Sequence, residues 1–439
     1  MRFQVIAQNI GTLLLLFLLL PFNLIFTAMA ALLAVLRPRH PHGRNKTVMV
    51  SGGKMSKGLH LARAFHRAGY RVVLLETHKY WLAGSRFSWC IDRFYTTPDP
   101  REQEYAAALL EIVQKEKVDF YIPVCSPVAS YYDAKAREVL DNYCTVFQPS
   151  ADVVGLLDDK YRFIKTAEEL GLTVPHSFLI TDRQQVLDFD FGNFAHPFIL
   201  KSIKYDAVRR LNLTKLPCQT KEEMVEFLNS LPITTENPWV MQEFIPGQEY
   251  CTHSTVWDGQ LRVHCCCRSS AFQVNYEYVD HPQIREWVTT FVSKLRLTGQ
   301  ISFDFIQSAA DGKVYPIECN PRTHSAITMF YNHPQLAEAY LAKEFRETIT
   351  PLPNSRPIYW LYHELWRLVT HIFDLREVQK RLTIIFNGQE GIFSSNDPLP
   401  FLMVYHWQIP LLLVQDLVKQ KGWVRIDFNI GKLVQLAGD

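Results

Sequence analysis

Two carboxylates and one amide are this chain's clearest candidates for chemistry: Asp304, Glu318 and Asn320. Glu318 and Asn320 stand two positions apart in an apolar run, so in a β-strand their side chains lie on the same face. The Asp311-Gly312 turn signal separates this run from the one that contains Asp304, and this order predicts a hairpin. Mg²⁺ prefers one or two carboxylates completed by phosphate oxygens. The three residues therefore predict a magnesium site, although a solvated hairpin face would explain them equally well.

Two lysines could bind phosphate groups beside such a metal. Lys201 lies inside the apolar run 198–203, where a charge is costly unless it meets an anion. Lys160 follows Asp158 and Asp159 at a predicted helix start. Lysine binds phosphate as a point charge, so both residues are candidate phosphate ligands. The alternatives are an edge-strand position for Lys201 and a solvated helix position for Lys160.

The segment 241–249 is a candidate nucleotide contact. An apolar strand runs into the Pro246-Gly247 turn and then reaches Glu249. The end of such a strand can offer backbone N–H and C=O groups to an adenine, and Glu249 could accept hydrogen bonds from ribose hydroxyls. Without further context the segment is only a strand and a turn.

Taken together, these elements stand in a recognisable order over roughly residues 150–345. The order is Lys160, Lys201, Gln242, Glu243, Ile245, Glu249, Asp304, Glu318, Asn320 and Arg322. It resembles the ATP-grasp superfamily, in which the glutamate, cysteine, asparagine, proline and arginine at 318–322 form a fairly specific motif. The resemblance implies an ADP-forming ligase that uses ATP and Mg²⁺, with Mn²⁺ as a possible substitute.

The resemblance also implies a role for each matching residue. Lys160 and Lys201 would contact ATP phosphates, Lys201 with a catalytic role. The hinge with Gln242, Glu243 and Ile245 would hold adenine, and Glu249 the ribose. The metal ligands would be Asp304, Glu318 and Asn320. Arg322, as a catalytic residue, and His324 would face the second substrate, although His324 could equally be structural.

Two features remain open at this level. Many ATP-grasp enzymes close over ATP with a glycine-rich loop, but residues 204–215 contain no glycine. Arg209 and Arg210 in this loop could neutralise phosphates or bind a carboxylate, or they could be surface charges. The Gly52-Gly53 turn before a predicted helix could present N–H groups to an anionic substrate, or it could be a simple tight turn.

A narrower resemblance covers nearly the whole chain. The segments that carry it are 51–58, 77–81, 123–133, 209–217, 319–334 and 426–434. They are similar to the ATP-grasp ligases of mycosporine-like amino acid biosynthesis, which join glycine to 4-deoxygadusol through a phosphorylated enol. The product, mycosporine-glycine, absorbs UV light, so the resemblance implies a role in UV protection. The alternatives are a carboxylate–amine ligase that forms a dipeptide through an acyl phosphate, and a non-catalytic, membrane-tethered nucleotide-binding scaffold.

The elements that must position these residues fall into two classes. Strands at 47–51, 71–76 and 120–124 alternate with helices at 59–68 and 104–116, which predicts a parallel sheet in a Rossmann-like pre-ATP-grasp domain at 47–150. An ATP-grasp domain follows at 151–345, with a lid subdomain at about 175–242. Its predicted strands are mostly antiparallel: 176–180, 197–203, 239–244, 252–257, 261–267, 300–307 and 314–319.

The composition excludes several classes of protein. The chain has 439 residues, enough for two or three domains, and 48% of them are hydrophobic. A formal net charge of +2 gives no basic field for nucleic acid. The nine cysteines contain no CxxC pair, so we expect reduced, buried thiols and no zinc site. The C-terminal extension 346–439 could be a packed helical cap or a surface that faces a membrane.

The N-terminus predicts a membrane anchor at 1–46. Residues 11–36 carry no charge. This uncharged run is longer than the roughly 20 apolar residues that span a bilayer. Basic residues follow at 37, 39, 44 and 46, so the positive-inside rule places the catalytic part in the cytoplasm. Pro21 would kink a helix, and this leaves a re-entrant segment open. The alternative is a signal peptide, with Ala28-Met29-Ala30 as its cleavage site.

Overall fold

A parallel β-sheet forms the first globular part of the chain. The structure, a computed structural model, describes residues 2–36, 43, 45–124, 126–203, 212–269 and 275–435. The elements of this part are β1 (Thr47–Val50), α2 (Ser56–Arg67), β2 (Arg71–Thr77), β3 (Arg93–Thr97), α3 (Tyr105–Glu116), β4 (Phe120–Ile122), α4 (Pro127–Leu140) and β5 (Thr145–Val146), after an N-terminal helix α1 (Arg2–Val35). The strand order is β3-β2-β1-β4-β5, and every neighbouring pair is parallel.

The parallel sheet forms because its central strands are apolar on both faces. Val48, Met49 and Val50 are fully buried, which is the pattern that helices on both sides of a sheet require. The predicted strands at 47–51, 71–76 and 120–124 are confirmed. Strands β3 and β5 were not predicted, because β3 contains arginine and threonine and β5 has only two residues.

The second part holds two antiparallel sheets. Its elements are α5 (Ala151–Asp158), α6 (Lys160–Glu169), β6 (Ser177–Ile180), α7 (Gln184–Leu187), β7 (Phe198–Ser202), α8 (Lys221–Asn229), β8 (Trp239–Glu243), β9 (Gly247–Trp257), β10 (Gln260–Arg268), β11 (Asn275–Tyr276), α9 (Pro282–Lys294), β12 (Gly299–Ser308), β13 (Val314–Asn320) and α10 (Leu336–Leu341). The larger sheet has the order β10-β9-β12-β13 and the smaller one the order β6-β8-β7. The antiparallel strands predicted for this region are confirmed.

Aromatic side chains join α6 and α9 to the larger sheet. Phe163 of α6 contacts Trp287 and Phe291 of α9 edge to face, and Phe303 of β12 lies in the same cluster. Each of these rings is buried, and burial of this size dominates the energetics of a core. This packing fixes the start of α6, and therefore Lys160, beside β13.

The C-terminal extension is folded onto both parts. Its elements are β14 (Ile358–Tyr359), α11 (Leu361–Thr370), α12 (Leu375–Asn387), β15 (Gln389–Glu390), α13 (Leu399–Met403), α14 (Ile409–Val418), β16 (Arg425–Asp427) and β17 (Lys432–Val434). A π-helical turn joins α13 to α14. Strand β14 pairs with β11 of the second part. The side chain of Gln408 accepts a hydrogen bond from the Gly84 N–H at 2.7 Å, which ties the extension to the first part.

The N-terminal helix is 34 residues long and contains Pro21 without ending there. By length and composition alone, two helical stretches among the described residues could cross a membrane: Gln4–Val35 and Leu399–Val418. A core helix of a soluble protein meets the same criterion, so the observation is weak evidence for a span. The described cysteines are free thiols, and most of them are buried.

Candidate active site

The hairpin β12–β13 brings Asp304, Glu318 and Asn320 together. Asp304 and Glu318 are direct partners across the two strands, and a bulge follows Asp304. The amide nitrogen of Asn320 donates to Oδ2 of Asp304 at 3.5 Å. The predicted hairpin and the proximity of the three side chains are therefore present in the structure.

The two carboxylates are close enough that the negative charge of one opposes ionisation of the other. Burial, and then the negative charges of Glu318 and Glu249, raise the pKa of Asp304 to about 8. The residues that the structure describes hold no group of three or more His, Cys, Asp or Glu side chains placed to bind a metal. Two carboxylates and one amide oxygen fit Mg²⁺ only where phosphate oxygens or water complete the shell. The donor set thus suits a metal that arrives with a nucleotide.

Lys160 lies opposite these carboxylates at the first position of α6. The Asp159 side chain caps this helix by accepting from the N–H groups of Tyr161 and Arg162, which fixes where the helix begins. Lys160 Nζ lies 3.4 Å from Oε1 of Glu318. Burial opposes the ionisation of Glu318, but the charges of Lys160 and Lys201 outweigh it and lower its pKa.

Lys201 projects from β7 toward the same group. Its Nζ donates to Oε1 of Gln242 at 2.7 Å, and Gln242 in turn donates to the Ser177 hydroxyl at 3.3 Å. Burial lowers the pKa of Lys201 to about 8, and the charge of Lys160 adds to this effect. Two lysines therefore approach one another on the side of the carboxylates, an arrangement that a polyphosphate would stabilise.

The segment after β8 passes from the smaller sheet to the larger one. The Glu243 N–H donates to the His176 carbonyl at 2.8 Å, while Glu243 and Ile245 are both buried. A Cβ at Gly247 would lie 1.9 Å from the Gln307 carbonyl oxygen, so only glycine permits this close approach. The segment is thus held between two sheets, where the predicted adenine contact would lie. Glu249 is exposed on β9.

Arg322 points back to the hairpin. Its guanidinium donates to Oδ1 of Asn320, and a second nitrogen lies 3.4 Å from Oδ1 of Asp158. His324 has a structural contact, because its Nδ1 accepts from the Ala326 N–H at 3.2 Å. Burial, followed by the charges of Lys57 and Arg322, lowers the pKa of His324 to about 3.

The loop 321–325 is fixed by three distant side chains that sequence reasoning did not single out. Lys57 donates to the Thr323 carbonyl at 2.5 Å, and the Ser130 hydroxyl donates to the Pro321 carbonyl at 2.9 Å. Asn429 donates to the Ser325 hydroxyl at 2.8 Å. These partners lie in three segments that carry the narrower resemblance, at 51–58, 123–133 and 426–434, and that was the one available signal for them.

The Gly52-Gly53 turn lies on the other side of this loop. Gly52 has a positive φ of 75°, and a Cβ there would lie 2.4 Å from the Val124 carbonyl oxygen. The Gly53 N–H donates to the Leu75 carbonyl at 2.9 Å, and the Ser56 N–H donates to the Asn429 carbonyl at 2.8 Å. Several N–H groups that were expected to face an anion are therefore already donated within the protein.

Arg209 and Arg210 lie outside the described residues. The other predicted site residues fall into two groups. One group surrounds the β12–β13 hairpin; the other consists of His324, in the loop 321–325, and Gly52 and Gly53, in the turn before α2. The roles assigned to all of them remain predictions.

Comparison with solved structures identifies the fold. N5-carboxyaminoimidazole synthetase from Staphylococcus aureus is 16% identical, with 73% of this chain and 82% of that chain covered and a TM-score of 0.53. An ADP complex of the purK N5-carboxyaminoimidazole ribonucleotide synthetase is 14% identical, with coverage of 76% and 87% and a TM-score of 0.54. Phosphoribosylamine–glycine ligase from Thermotoga maritima is 16% identical, with coverage of 71% and 78% and a TM-score of 0.51.

These likenesses give the chain a mixed α/β, ATP-grasp-like fold with a parallel sheet. No protein-family model matches the chain, and no curated protein matches it in sequence.

Proposed function

We propose that this chain is an ADP-forming ligase that phosphorylates an oxygen of a small acid with ATP and then joins an amine to the activated carbon. The observation that carries the proposal is the convergence of two lysines on two carboxylates. Lys160 lies 3.4 Å from Glu318, while Asp304 and Glu318 are cross-strand partners. Such a set can hold a metal and a triphosphate together, and two proteins of similar fold, a synthetase and a ligase, agree with ligation.

The proposed reaction has two steps. An oxygen of the acid forms a bond to the γ-phosphorus of ATP, the bond to the bridging oxygen breaks, and ADP leaves with that electron pair. The amine nitrogen then forms a bond to the activated carbon, the carbon–oxygen bond breaks, and phosphate leaves while the nitrogen loses a proton. Phosphoryl transfer of this kind depends mostly on positioning and electrostatic stabilisation.

The residues of the site divide the work. Lys160 and Lys201 neutralise the phosphates, and Gln242 orients Lys201 through its 2.7 Å hydrogen bond. Mg²⁺, held by Asp304, Glu318 and Asn320, would supply the positive charge that a transferring phosphoryl group needs. Arg322, which contacts Asn320, would face the second substrate.

For the substrates we propose 4-deoxygadusol and glycine, with mycosporine-glycine as the product. The enol oxygen of 4-deoxygadusol would be phosphorylated, and the amine of glycine would replace it. The proposal rests on the narrower resemblance, and the structure adds one supporting fact. Segments far apart in sequence that carry the resemblance meet at one place, because Asn429 bridges Ser56 and Ser325. Ser325 belongs to the loop that follows the β12–β13 hairpin, and we expect the second substrate to bind beside this loop.

The test is product analysis with the purified full-length chain and Mg-ATP. We expect ADP and phosphate only when 4-deoxygadusol is present, and a product with the mass and absorbance of mycosporine-glycine only when glycine is added. Alanine should be poorer by roughly 10–200-fold, because a pocket shaped for glycine must reject a methyl group.

Other outcomes would point elsewhere. If phosphate release requires a simple carboxylic acid and ignores the cyclohexenone, the chain is a carboxylate–amine ligase. If ATP binds but no acid and amine pair gives turnover, the chain is a nucleotide-binding scaffold. If AMP forms, the assignment to γ-phosphoryl transfer is wrong.

A further inference from the structure

The N-terminal helix buries three polar side chains against the protein while large apolar side chains face outward. The buried stripe of α1 consists of Asn9, Leu16, Asn23, Thr27, Ala30 and Ala34. Asn9 accepts from the Trp423 indole N–H at 3.1 Å, and Asn23 donates to the Tyr362 hydroxyl at 3.3 Å. A surface helix in water places apolar residues toward the core and polar ones outward, and α1 departs from this pattern in both its buried asparagines and its exposed apolar side chains.

The outward side of α1 carries large apolar side chains along most of its length. Its exposed members include Leu14, Phe17, Leu18, Phe22, Ile25, Met29, Leu32 and Leu33. Phe17 and Phe22 are 70% and 73% exposed. Soluble monomers rarely expose a continuous apolar surface of this extent, so this side of the helix is a candidate binding surface.

The helical hairpin α11–α12 also combines a buried polar contact with exposed apolar side chains. Between its helices, Arg381 forms an ion pair with Glu364 at 3.2 Å, and their side chains are 9% and 0% exposed. Its exposed residues include the apolar side chains Trp366, Val369 and Ile372 among polar ones, and Phe373 at the tip is 99% exposed, followed by Leu375 at 80%. In both elements, hydrogen-bonded polar groups are buried while large apolar side chains are exposed.

Contacts along its length attach α1 to the body of the protein. Its start meets Trp423, since Gln8 donates to the Trp423 carbonyl at 3.2 Å. Eighteen residues later, Phe26 packs against Phe393 with 4.9 Å between ring centroids. Helices α13 and α14 lie beside α1, and Gln408 between them is bonded to Gly84 of the parallel-sheet part. A crossing by α1 would draw this part into the hydrocarbon.

We propose that the outward side of α1 and the outward side of the α11–α12 hairpin form one membrane-binding surface, which enters a single leaflet with α1 in the membrane plane. The occupant is a phospholipid bilayer, because no charged side chain interrupts residues 11–36. Exposed lysines border the surface, with Lys419 and Lys421 near the start of α1 and Lys380 on the hairpin. Lysines in such border positions meet lipid headgroups. The inference does not depend on the proposed ligase activity.

Vesicle flotation tests the hairpin's part. Full-length protein is mixed with phosphatidylcholine vesicles at high salt, and bound protein is measured for the wild type and for Phe373→Ser/Leu375→Ser. We expect the variant to bind at least roughly tenfold more weakly, because two apolar side chains no longer leave water. The matched control is Val139→Ser/Tyr143→Ser, whose parent residues are 41% and 54% exposed on and next to α4, and it should bind like the wild type.

Equal binding by the hairpin variant and the wild type would overturn the proposal, provided circular dichroism shows both to be folded. Light scattering without lipid supplies a second check. If the wild type self-associates without lipid and the same variant does not, the surface is an interface between two copies and the lipid assignment fails.

Protease access tests the orientation of α1. In inside-out membrane vesicles from expressing bacteria, an in-plane helix leaves a tag at the N-terminus open to added protease. A tag that stays protected until detergent is added would mean that α1 crosses the bilayer, and the in-plane arrangement would be wrong.

Discussion

The charge balance of the site is set by Asp304, Glu318 and the charged side chains around them. Lys160 and Lys201 are positive, and both act on Glu318, whose pKa they lower. Asp304 has no lysine as close, and burial with its carboxylate neighbours raises its pKa. Lysines that neutralise Glu318 in the free enzyme would face the phosphates once a nucleotide and a divalent cation are bound. The same residues can therefore stabilise the site both with and without ligand.

Replacing Glu318 with glutamine tests the metal site. Glu318→Gln should reduce kcat more than a hundredfold, roughly 3 kcal/mol of transition-state stabilisation, because a neutral amide gives less charge to hold the cation at the phosphates. Steady-state kinetics at saturating Mg²⁺ would measure this. Glu286→Gln, an exposed change on α9, is the matched control and should retain activity. A near-normal kcat for Glu318→Gln would mean that this residue is not a metal ligand.

Replacing Lys201 with methionine tests the phosphate contact. Lys201→Met keeps the apolar stem and removes the charge, so the KM for ATP should rise roughly 10–150-fold, as expected for loss of a hydrogen bond from a charged group. The variant should melt within a few degrees of the wild type. Lys221→Met on α8, where the lysine is exposed, should leave the KM unchanged. An unaltered KM for ATP in Lys201→Met would remove Lys201 from the nucleotide site.

Among the elements, the hairpin β12–β13 was predictable from sequence and the loop after it was not. Strand periodicity and the Asp311-Gly312 turn are local signals, and they placed Asp304 opposite Glu318. The contacts that hold the loop 321–325 are long-range, since Asn429 and Ser325 are 104 positions apart. Neither propensity nor spacing reports on such a contact. For the same reason the packing of the C-terminal extension remained open until the fold was known.

Asn429 lies in the turn between β16 and β17 and is hydrogen-bonded to Ser56 and Ser325. Asn429→Ala leaves the buried hydroxyls of Ser56 and Ser325 without this partner, which should lower the free energy of unfolding by about 1–3 kcal/mol. Because the loop 321–325 would shift, the KM for the acid should rise while the KM for ATP stays within about twofold of the wild type. The measurements are denaturant unfolding and kinetics with each substrate varied. Asn229→Ala, at the exposed end of α8, is the control. Equal increases in both KM values would indicate only general destabilisation.

At the scale of the whole molecule, the N-terminal helix α1 and the C-terminal extension are packed together. Helix α1 lies along α13 and α14, and the C-terminal extension reaches back to α2 through His60 and Arg63. His60 Nε2 donates to the Gly391 carbonyl at 2.7 Å. The N-terminal helix and the C-terminal extension therefore pack on each other, and the extension also packs on α2 of the parallel-sheet part.

Because His60 is buried between α2 and the C-terminal extension, the free energy of unfolding should be sensitive to acid. Burial, and then the charge of Arg63, lower its pKa to about 3, below the usual value of 6.5. The unfolded chain takes up a proton first, so stability is present above pH 6.5 and is lost as the pH falls from 6.5 toward 3. His60→Gln keeps a donor for Gly391 and should reduce the slope of unfolding free energy against pH by roughly 1.4 kcal/mol per unit in that window. Denaturant unfolding from pH 4 to 7 measures it, with exposed His78→Gln as the control. If both variants keep the wild-type slope, His60 is not the acid-sensitive group.

The central claim is that ATP phosphorylates an oxygen of the acid before the amine joins, and isotope transfer tests it most directly. The acid, 4-deoxygadusol, is prepared with ¹⁸O at the ring oxygen that glycine replaces and is incubated with the full-length chain, Mg-ATP and glycine. Mass spectrometry of the inorganic phosphate gives the answer. We predict that each phosphate formed carries one ¹⁸O atom from the acid, with ADP as the other product of ATP. Phosphate without the label, or AMP carrying it, would contradict the account.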